Sequence, residues 1–528
     1  MLIKLLGLCY YPKSGSFLDH QIQMSKEEPI FHNELPFSTV TLFKKALSSI
    51  AFKFSIPSIV LTKQSKIWGR KKMQNQRVHV LVVTYPAQGH LNPLIQFAKR
   101  LASKKVKATV AATHYTINSI HPNSFAIEPI SDGFDEGGFK QAPSVEAYLE
   151  SFKTVGSRTL AELIVKFNNS GEPVSCVVYD SLLSWACDVA KEFGIHAAIM
   201  LTNSASVCSL YWQFNQGRLA LPLDQETLAA SVPGLPSLSF SDLPSFLAHP
   251  TSHSAYLALI MDKIRTLGKN DWVFCNSFEE LESELVKALK ELWPVITIGP
   301  LVPSFYLDHQ IEGDTSYGAS LWKQNNDQCL RWLDSKPLRS VVYVSFGSMA
   351  SISTRQFEEI AWGLKASNMP FLWVTKEFED KLLLESIDSI GERGLFVTWC
   401  NQLDVLAHQA VGCFVTHCGW NSTLEGLSLG VPMVCVPQWS DQPTNAKFVE
   451  DVWMVGVRAK KDEEGFVRRE ELGKCLREVM DGEKTREIKS SASKWREHAK
   501  TAVSVGGSSD RNIDEFIRKL LTGKEKKA

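Results

Sequence analysis

What this chain of 528 residues lacks narrows its class before any motif is read. It has no apolar run of about 18 residues, so no membrane-spanning helix is expected. No GxGxxG follows a strand-like run, which removes the usual signature of a nicotinamide-dependent oxidoreductase. No GxSxG is present for an α/β-hydrolase. The 11 cysteines are odd in number, scattered and without a CxxC pair. Reduced thiols in a reducing compartment fit that usage better than a disulfide framework or a zinc site, and no metal site is expected. Formal net charge is zero and no basic stripe lies beyond residue 72, so nucleic acid is not expected as a partner.

The zero conceals an asymmetry. Residues 1–72 carry 11 Lys and Arg against 4 Asp and Glu, a net of +7 that the remainder cancels. The segment lacks a clean amphipathic or strand pattern. An organelle transit peptide would favour Arg and avoid acids, whereas here Lys dominates and acids are present. A secretory signal fits worse, because Lys4 interrupts the apolar start. The favoured reading is an extension outside the working protein, with Met73 as its start. A cytoplasmic location is then expected, or a plastid one if the segment is a transit peptide. Asn421-Ser422-Thr423 is a formal glycosylation sequon whose use would block the helix described below, again consistent with the cytosol.

What is present is the composition of a soluble globular protein, 44% apolar and 22% charged, too long for one ordinary domain. Val78–Thr84 is continuously apolar, as in a strand buried on both faces of a parallel sheet. The loop YPAQGHLNP follows, and Asn92 with Pro93 reads as the cap and first turn of a helix. Lys107–Ala112, Ser175–Tyr179, His196–Leu201, Trp272–Asn276 and Val295–Ile298 are further strand candidates, with helical patterns between them. Pro, Gly and Ser crowd Gly299 to Gly318. The alternation then restarts with Ser340–Ser345, a tight Phe346-Gly347-Ser348 turn and a helix over Thr354–Ser367. Leu395–Thr398, Cys413–Thr416 and Pro432–Val436 follow as strands. Two similar α/β domains with parallel sheets are predicted, their ligands held at the carboxyl ends of the strands and in the cleft between the sheets.

FVTHCGWNSTLEG, Phe414 to Gly426, runs a strand into the start of a helix. The first N–H groups of a helix are unsatisfied and carry partial positive charge, a ready site for phosphate. Gly419 allows close approach, Asn421 and Ser422 add donors, and His417 can donate. The bland alternative is an ordinary helix capped by Asn421. The neighbours weigh against it. Trp399 offers a stacking face and Gln402 an amide, Glu425 can accept from ribose hydroxyls, and Asp441 with Gln442 suits a sugar. In the first half, His90 follows one strand and Asp180 ends another. Strand ends of a parallel sheet share an edge, so the two can meet as a base and its orienting carboxylate. Taken singly, His90 reads equally as a loop histidine and Asp180 as a strand-end carboxylate.

Residues Trp399–Gln442, WCNQLDVLAHQAVGCFVTHCGWNSTLEGLSLGVPMVCVPQWSDQ, resemble the 44-residue signature box of plant family-1 UDP-glycosyltransferases acting on small molecules. The resemblance covers roughly residues 76 to 522. It implies the GT-B fold, an α/β architecture of two Rossmann-like domains with parallel sheets facing a central cleft. The boundaries expected are an acceptor-binding domain over 73–310, a linker over 311–325, a UDP-sugar domain over 326–505, and a C-terminal helix in 506–528 packing back on the first domain. It implies that Trp399 stacks on uracil at the head of the box, next to Cys400, and that Gln402 and Glu425 hold the ribose. His417, Trp420 through its backbone, Asn421, Ser422 and Ser348 hold the pyrophosphate, and Asp441 and Gln442 the sugar. Gln442 resembles glucose users more than galactose users. His90 becomes the base and Asp180 the residue that steadies it, for a single inverting displacement. No D-x-D triplet occurs, so a metal-bridged diphosphate is not indicated and no cofactor beyond the donor UDP-glucose is expected.

The acceptor is less legible. Trp185, Tyr211, Trp212, Phe214 and Phe240 are aromatic candidates for its pocket, each equally readable as core. The box opens WCNQ, where many relatives have Pro before the Gln. With YPAQGHLNP and VPGLP…SDLPSF this resembles the subgroup that forms glucose esters of salicylate-, auxin- or terpenoid-type acids. O-glucosylation of a phenol or alcohol, and a non-catalytic nucleotide-sugar-binding module, are the alternatives. A monomer without a membrane partner is expected.

Overall fold

The computed structural model describes residues 78–121, 124–219, 234–350, 352–375 and 393–527. The basic segment 1–72 and the Met73 boundary lie outside the described residues. The first sheet contains β1 (His79–Val83), β2 (Lys107–Thr113), β3 (Ala126–Ile130), β4 (Cys176–Asp180), β5 (His196–Leu201), β6 (Trp272–Cys275) and β7 (Val295–Thr297), in the order β3-β2-β1-β4-β5-β6-β7. The second contains β8 (Val341–Ser345), β9 (Phe371–Val374), β10 (Gly394–Val397), β11 (Val411–Thr416), β12 (Met433–Cys435) and β13 (Gly456–Arg458), in the order β10-β9-β8-β11-β12-β13. Every pairing within them is parallel. The predicted two-sheet α/β architecture is therefore the one observed. Strands such as HVLVV are buried along their whole length because helices cover both faces, which is why they read as unbroken apolar runs.

Each sheet reverses its winding once. In the first, β1 and β4 are neighbours, in register Val83 to Tyr179, and in the second β8 and β11 are. A crevice opens at the carboxyl ends of strands where the winding reverses, and ligands of open α/β sheets bind there. Among the described residues no helix is long and apolar enough to cross a membrane, and the ten cysteines are all buried and unbridged.

Three strands escaped the pattern reading. β3 is a partly exposed edge strand containing Pro129, β9 has four residues and β13 three. A proline is tolerated at a sheet edge, where a missing N–H costs no ladder bond. The start of the first helix also differs from expectation. It spans Gln88–Ser103 with Ala87 as its N-cap, so His90 lies in its first turn and Pro93 lies inside it. Asn92 is no cap; its Oδ1 accepts from Gln88 Nε2 at 2.6 Å.

The chain finishes on the first sheet. The helix Thr485–Val503 packs on the second half, and the helix Ser508–Lys527 then crosses back. Its Ile513, Phe516 and Leu520 are buried with residues of β1, β2, β4, β5 and β6. Phe516 meets Trp272 edge-on at 4.9 Å and Phe274 at 5.0 Å between ring centroids. Ser509 Oγ donates to the Gly299 carbonyl at 2.5 Å and Asn512 Nδ2 to the Thr297 carbonyl at 2.8 Å. A buried aromatic side chain removed from such a seat costs about 3–5 kcal/mol. Phe516→Ala is therefore expected to lower the urea midpoint by that amount of stability, and a loss below about 1 kcal/mol would mean that the helix is only loosely seated.

Candidate active site

Carboxyl-edge loops of both sheets line one cleft of about 580 Å³. From the first sheet come Gln88, His90 and Thr202; from the second come Ser345, Ser348, Trp399, His417 and Asp441. Of the residues expected at the site, His90, Ser348, Trp399, Cys400, Gln402, His417, Trp420, Asn421, Ser422, Glu425, Asp441 and Gln442 all line it. Asp180 stands behind His90, fully buried.

The first-sheet side is a histidine on a fixed carboxylate. His90 Nδ1 lies 2.7 Å from Asp180 Oδ2, and Asp180 Oδ1 accepts from the Leu182 N–H at 2.9 Å. β1 and β4 are adjacent, so their following residues meet as the parallel register requires. Asp180 accepts a hydrogen bond best from a protonated Nδ1, which leaves Nε2 of the neutral ring as the basic atom. Thr202, just past β5, comes within 3.3 Å of the same Nδ1.

The second-sheet side is the start of the helix Trp420–Leu429. Its N-cap is Gly419 and no side chain caps it, so the reading of Asn421 as the helix cap does not hold. Asn421 instead donates from Nδ2 to the Gly89 carbonyl at 2.6 Å. That carbonyl is available because its helical partner four residues on would be Pro93, which has no N–H. One proline thus opens an acceptor in the His90 turn, and the opposite domain fills it. The Trp420 indole is engaged by donating to the Asn276 carbonyl at 2.8 Å, and its backbone N–H lies on the helix start.

His417 sits between two glycines. A Cβ on either Gly347, whose φ is +77°, or Gly419 would fall 2.6 Å from its Nε2. Burial pushes the imidazole pKa down to about 4, with the Ser345 backbone opposing the shift, so the ring is neutral at physiological pH. Glu425 is buried and its pKa is pushed up to about 7 by that burial, against the hydrogen bonds it accepts from Gln402 and Tyr317. Gln402 Nε2 reaches Glu425 Oε2 at 2.6 Å and Ser422 Oγ at 2.9 Å, while its Oε1 accepts from Tyr343 at 3.1 Å. Cys400 is buried against the Tyr343 hydroxyl at 3.7 Å. Asp441, its carboxyl pKa raised by burial, accepts from Asn445 at 2.8 Å. Gln442 Oε1 accepts from the Gln438 and Trp439 backbones at 2.8 and 3.0 Å, fixing the amide while its nitrogen remains for a ligand.

The aromatic candidates for an acceptor pocket fall elsewhere. Trp185 packs on Phe152, Tyr211 is buried, and Trp212 meets Trp293 edge-on. Neither they, Phe214 nor Phe240 lines the cleft. Its aromatic surface comes from Tyr317, Trp322, Tyr343, Trp399 and Trp439. Trp322 stands 5.7 Å from Trp399 at 37°. Tyr317 and Trp322 went unnoticed in the sequence because they lie within and just after a Pro, Gly and Ser-rich stretch that carries no periodicity. Among the described residues no group of three or more His, Cys, Asp or Glu is placed to hold a metal ion.

Two facing Rossmann-like domains, with a His–Asp pair on one lip and a helix start without a side-chain cap on the other, have the architecture of a GT-B glycosyltransferase. Comparison with known proteins takes this further. Residues 309–494 match the family described as "UDP-glucoronosyl and UDP-glucosyl transferase". The chain is 46% identical over 459 residues to the flavonol 7-O-beta-glucosyltransferase UGT74F1 of Arabidopsis thaliana, covering 85% of this chain and 99% of that one. It is 45% identical over 473 residues to an indole-3-acetate beta-glucosyltransferase of Zea mays, with 85% and 99% covered. The crystal structure of Os79 from O. sativa in complex with UDP superposes with a TM-score of 0.80 at 40% identity, over 84% of this chain and all of that one. The chain belongs to the plant UDP-glycosyltransferases, enzymes that pass a glycosyl group from a UDP-sugar to a small molecule.

The depressed His417 pKa gives a stability prediction. Its ring binds a proton near pH 6.5 when unfolded but only near 4 when folded. The stability that the neutral ring contributes is whole above pH 6.5 and is lost as pH falls through 4. His417→Gln should lose about 2 kcal/mol less than the unaltered protein between pH 7 and pH 4, measured by urea midpoints. Parallel acid limbs would contradict the buried neutral ring.

Proposed function

We propose that this enzyme transfers glucose from UDP-glucose, with inversion, to the carboxyl group of a small hydrophobic plant metabolite. The observation that carries the transfer itself, whichever acceptor group is used, is the His90–Asp180 pair at 2.7 Å on the lip of the cleft that Asp441 and Gln442 also line. In this reading His90 Nε2 faces the acceptor oxygen and takes its proton where one must leave, and Asp180 holds the tautomer and stabilises the imidazolium. The acceptor oxygen attacks the anomeric carbon and UDP departs. An oxocarbenium-like transition state follows by analogy with glycoside hydrolysis. Negative charge growing on the diphosphate meets the helix start at Trp420 and Asn421, the neutral N–H of His417, and Ser422 with Ser348. Trp399 stacks on the uracil beside Cys400, Gln402 and Glu425 take the ribose, and Asp441 with Gln442 take the glucose hydroxyls. Both lips of the cleft come from one chain, which supports a monomer as the working unit, and the reading places it in the cytoplasm.

The WCNQ opening and the relative from Zea mays, named for an acid acceptor, support a carboxyl group. The relative from Arabidopsis thaliana is named for a flavonol hydroxyl, and the His–Asp pair itself favours that second reading, since a base matters more to a hydroxyl. A carboxylic acid, with a pKa of about 4, is ionised at pH 7 and needs orientation, whereas a phenol of pKa about 10 needs the base.

The test supplies UDP-glucose with a panel of carboxylic acids, phenols and aliphatic alcohols and reads products by mass. Alkali-labile glucose esters are expected; stable glycosides alone would move the proposal to the hydroxyl reading. His90→Ala should cost roughly 100-fold or more in kcat with a phenol and at least about tenfold less with an acid. Equal losses with both acceptor types would sink the argument from ionisation.

A further inference from the structure

We propose that Tyr317, in the connection between the two sheets, is a positioning residue for the donor, setting the carboxylate of Glu425 for the ribose hydroxyls. The proposal rests on the reading of Glu425 as the ribose acid. Tyr317 donates to Glu425 Oε1 at 2.8 Å, while Gln402 donates to Oε2 at 2.6 Å. The two oxygens are thus held from two separate segments, the connection between the sheets and the start of the helix after β10, which fixes a terminal torsion that is otherwise broad and soft. Burial, with the neighbouring Glu425 carboxylate, raises the Tyr317 pKa well above the usual phenol range, so the hydroxyl stays protonated and acts as a donor.

What makes Tyr317 more than a convenient partner is how its own backbone is held. Lys99 Nζ, buried, donates to Asp314 Oδ1 at 2.8 Å and to the Ser316 carbonyl at 2.5 Å. Gln96 Nε2 donates to the other Asp314 oxygen at 2.6 Å. The Gly318 carbonyl accepts from the His121 N–H at 2.7 Å, and the Ala319 carbonyl from Gln88 Nε2 at 3.0 Å. Gln88, Gln96 and Lys99 all belong to the helix Gln88–Ser103, the one that carries His90 on its first turn. A single span of six residues, Asp314 to Ala319, therefore joins the helix of the proposed base to the proposed ribose acid. The nucleotide end of the donor is referenced to the acceptor side of the cleft through Tyr317, without contact between Tyr317 and the reacting atoms. A buried, fully paired ion pair such as Lys99–Asp314 gives little net stability but strongly penalises other geometries, which suits a spacer of fixed length.

The experiment uses the full chain and the near-isosteric Tyr317→Phe, which keeps the ring and removes the donor. Binding of UDP and of its 2′,3′-dideoxyribose counterpart is measured by calorimetry, and KM and kcat with UDP-glucose by product formation. At about pH 8, where the Glu425 carboxyl is ionised, removing a hydrogen bond to a charged group predicts UDP binding weaker by roughly tenfold, a matching rise in KM and kcat within about twofold. The dideoxy ligand, with no ribose hydroxyls to hold, should bind both forms equally. Equal weakening of both ligands would make Tyr317 a packing residue and overturn the proposal. So would unchanged UDP binding by Tyr317→Phe alongside a clear loss in Glu425→Gln. If Glu425→Gln itself leaves UDP affinity intact, the ribose reading of Glu425 fails and this proposal falls with it.

Discussion

The whole molecule follows from one constraint, that neighbouring strands in each sheet run parallel. Parallel strands cannot be joined by tight turns, so every strand hands on to a crossover, and the loops leaving the carboxyl ends collect along one edge. In the first sheet that edge brings together the residues after β1, β4 and β5, and so His90, Asp180 and Thr202. In the second it gathers the ends of β8, β10, β11 and β12, and so Ser348, Trp399, His417 and Asp441. Facing the two edges across one cleft is then sufficient to bring side chains more than three hundred residues apart within one ligand's length.

Holding the edges in register is the work of polar contacts set in apolar surroundings. Arg100 donates through two nitrogens to Asp308, and Lys99 pairs with Asp314, all four side chains being buried. Tyr306 donates to Asp404 at 2.5 Å, tying the same connection to the second half. At the lip, Asn421 closes on the carbonyl that Pro93 leaves without an internal partner. An unmade bond at any of these places would leave a buried donor or acceptor unsatisfied, which costs more than a made bond gains. The preference is therefore for one arrangement of the two halves over others, more than for added stability.

Much of this was legible in the chain. The second-sheet side of the cleft could be read because its residues are contiguous: strand, histidine, glycine, helix and acid follow one another from Trp399 to Gln442 at spacings that the local structure fixes. Asp180 could be read because it ends an apolar run. Reading failed where the signal was not local. Asn92 and Pro93 looked like a helix start, yet the helix begins at Gln88, and the carbonyl that the proline abandons is taken up by Asn421 from the other domain, a partner that local pattern does not reveal. Of the aromatic residues guessed for an acceptor pocket, Trp185 and Tyr211 are buried and none lines the cleft, since hydrophobic periodicity does not say which apolar face meets a ligand. Tyr317 and Trp322 carried no pattern at all.

By itself the sequence determined the kind of machine: two parallel α/β sheets, a strand that runs through a glycine into a helix start, and a histidine and an aspartate at strand ends. These depend on periodicity, turn chemistry and short spacings, all of which are set by neighbours along the chain. Only the tertiary structure decided that His90 rests on Asp180, that Asn421 bridges to Gly89, and that Tyr317 reaches Glu425 from a connection anchored 218 residues away on Gln96. The first contact depends on which strands become neighbours in one sheet, and the other two on how the two halves and their connection meet; the buried hydrogen bonds and ion pairs that select that meeting have no period for a sequence to display.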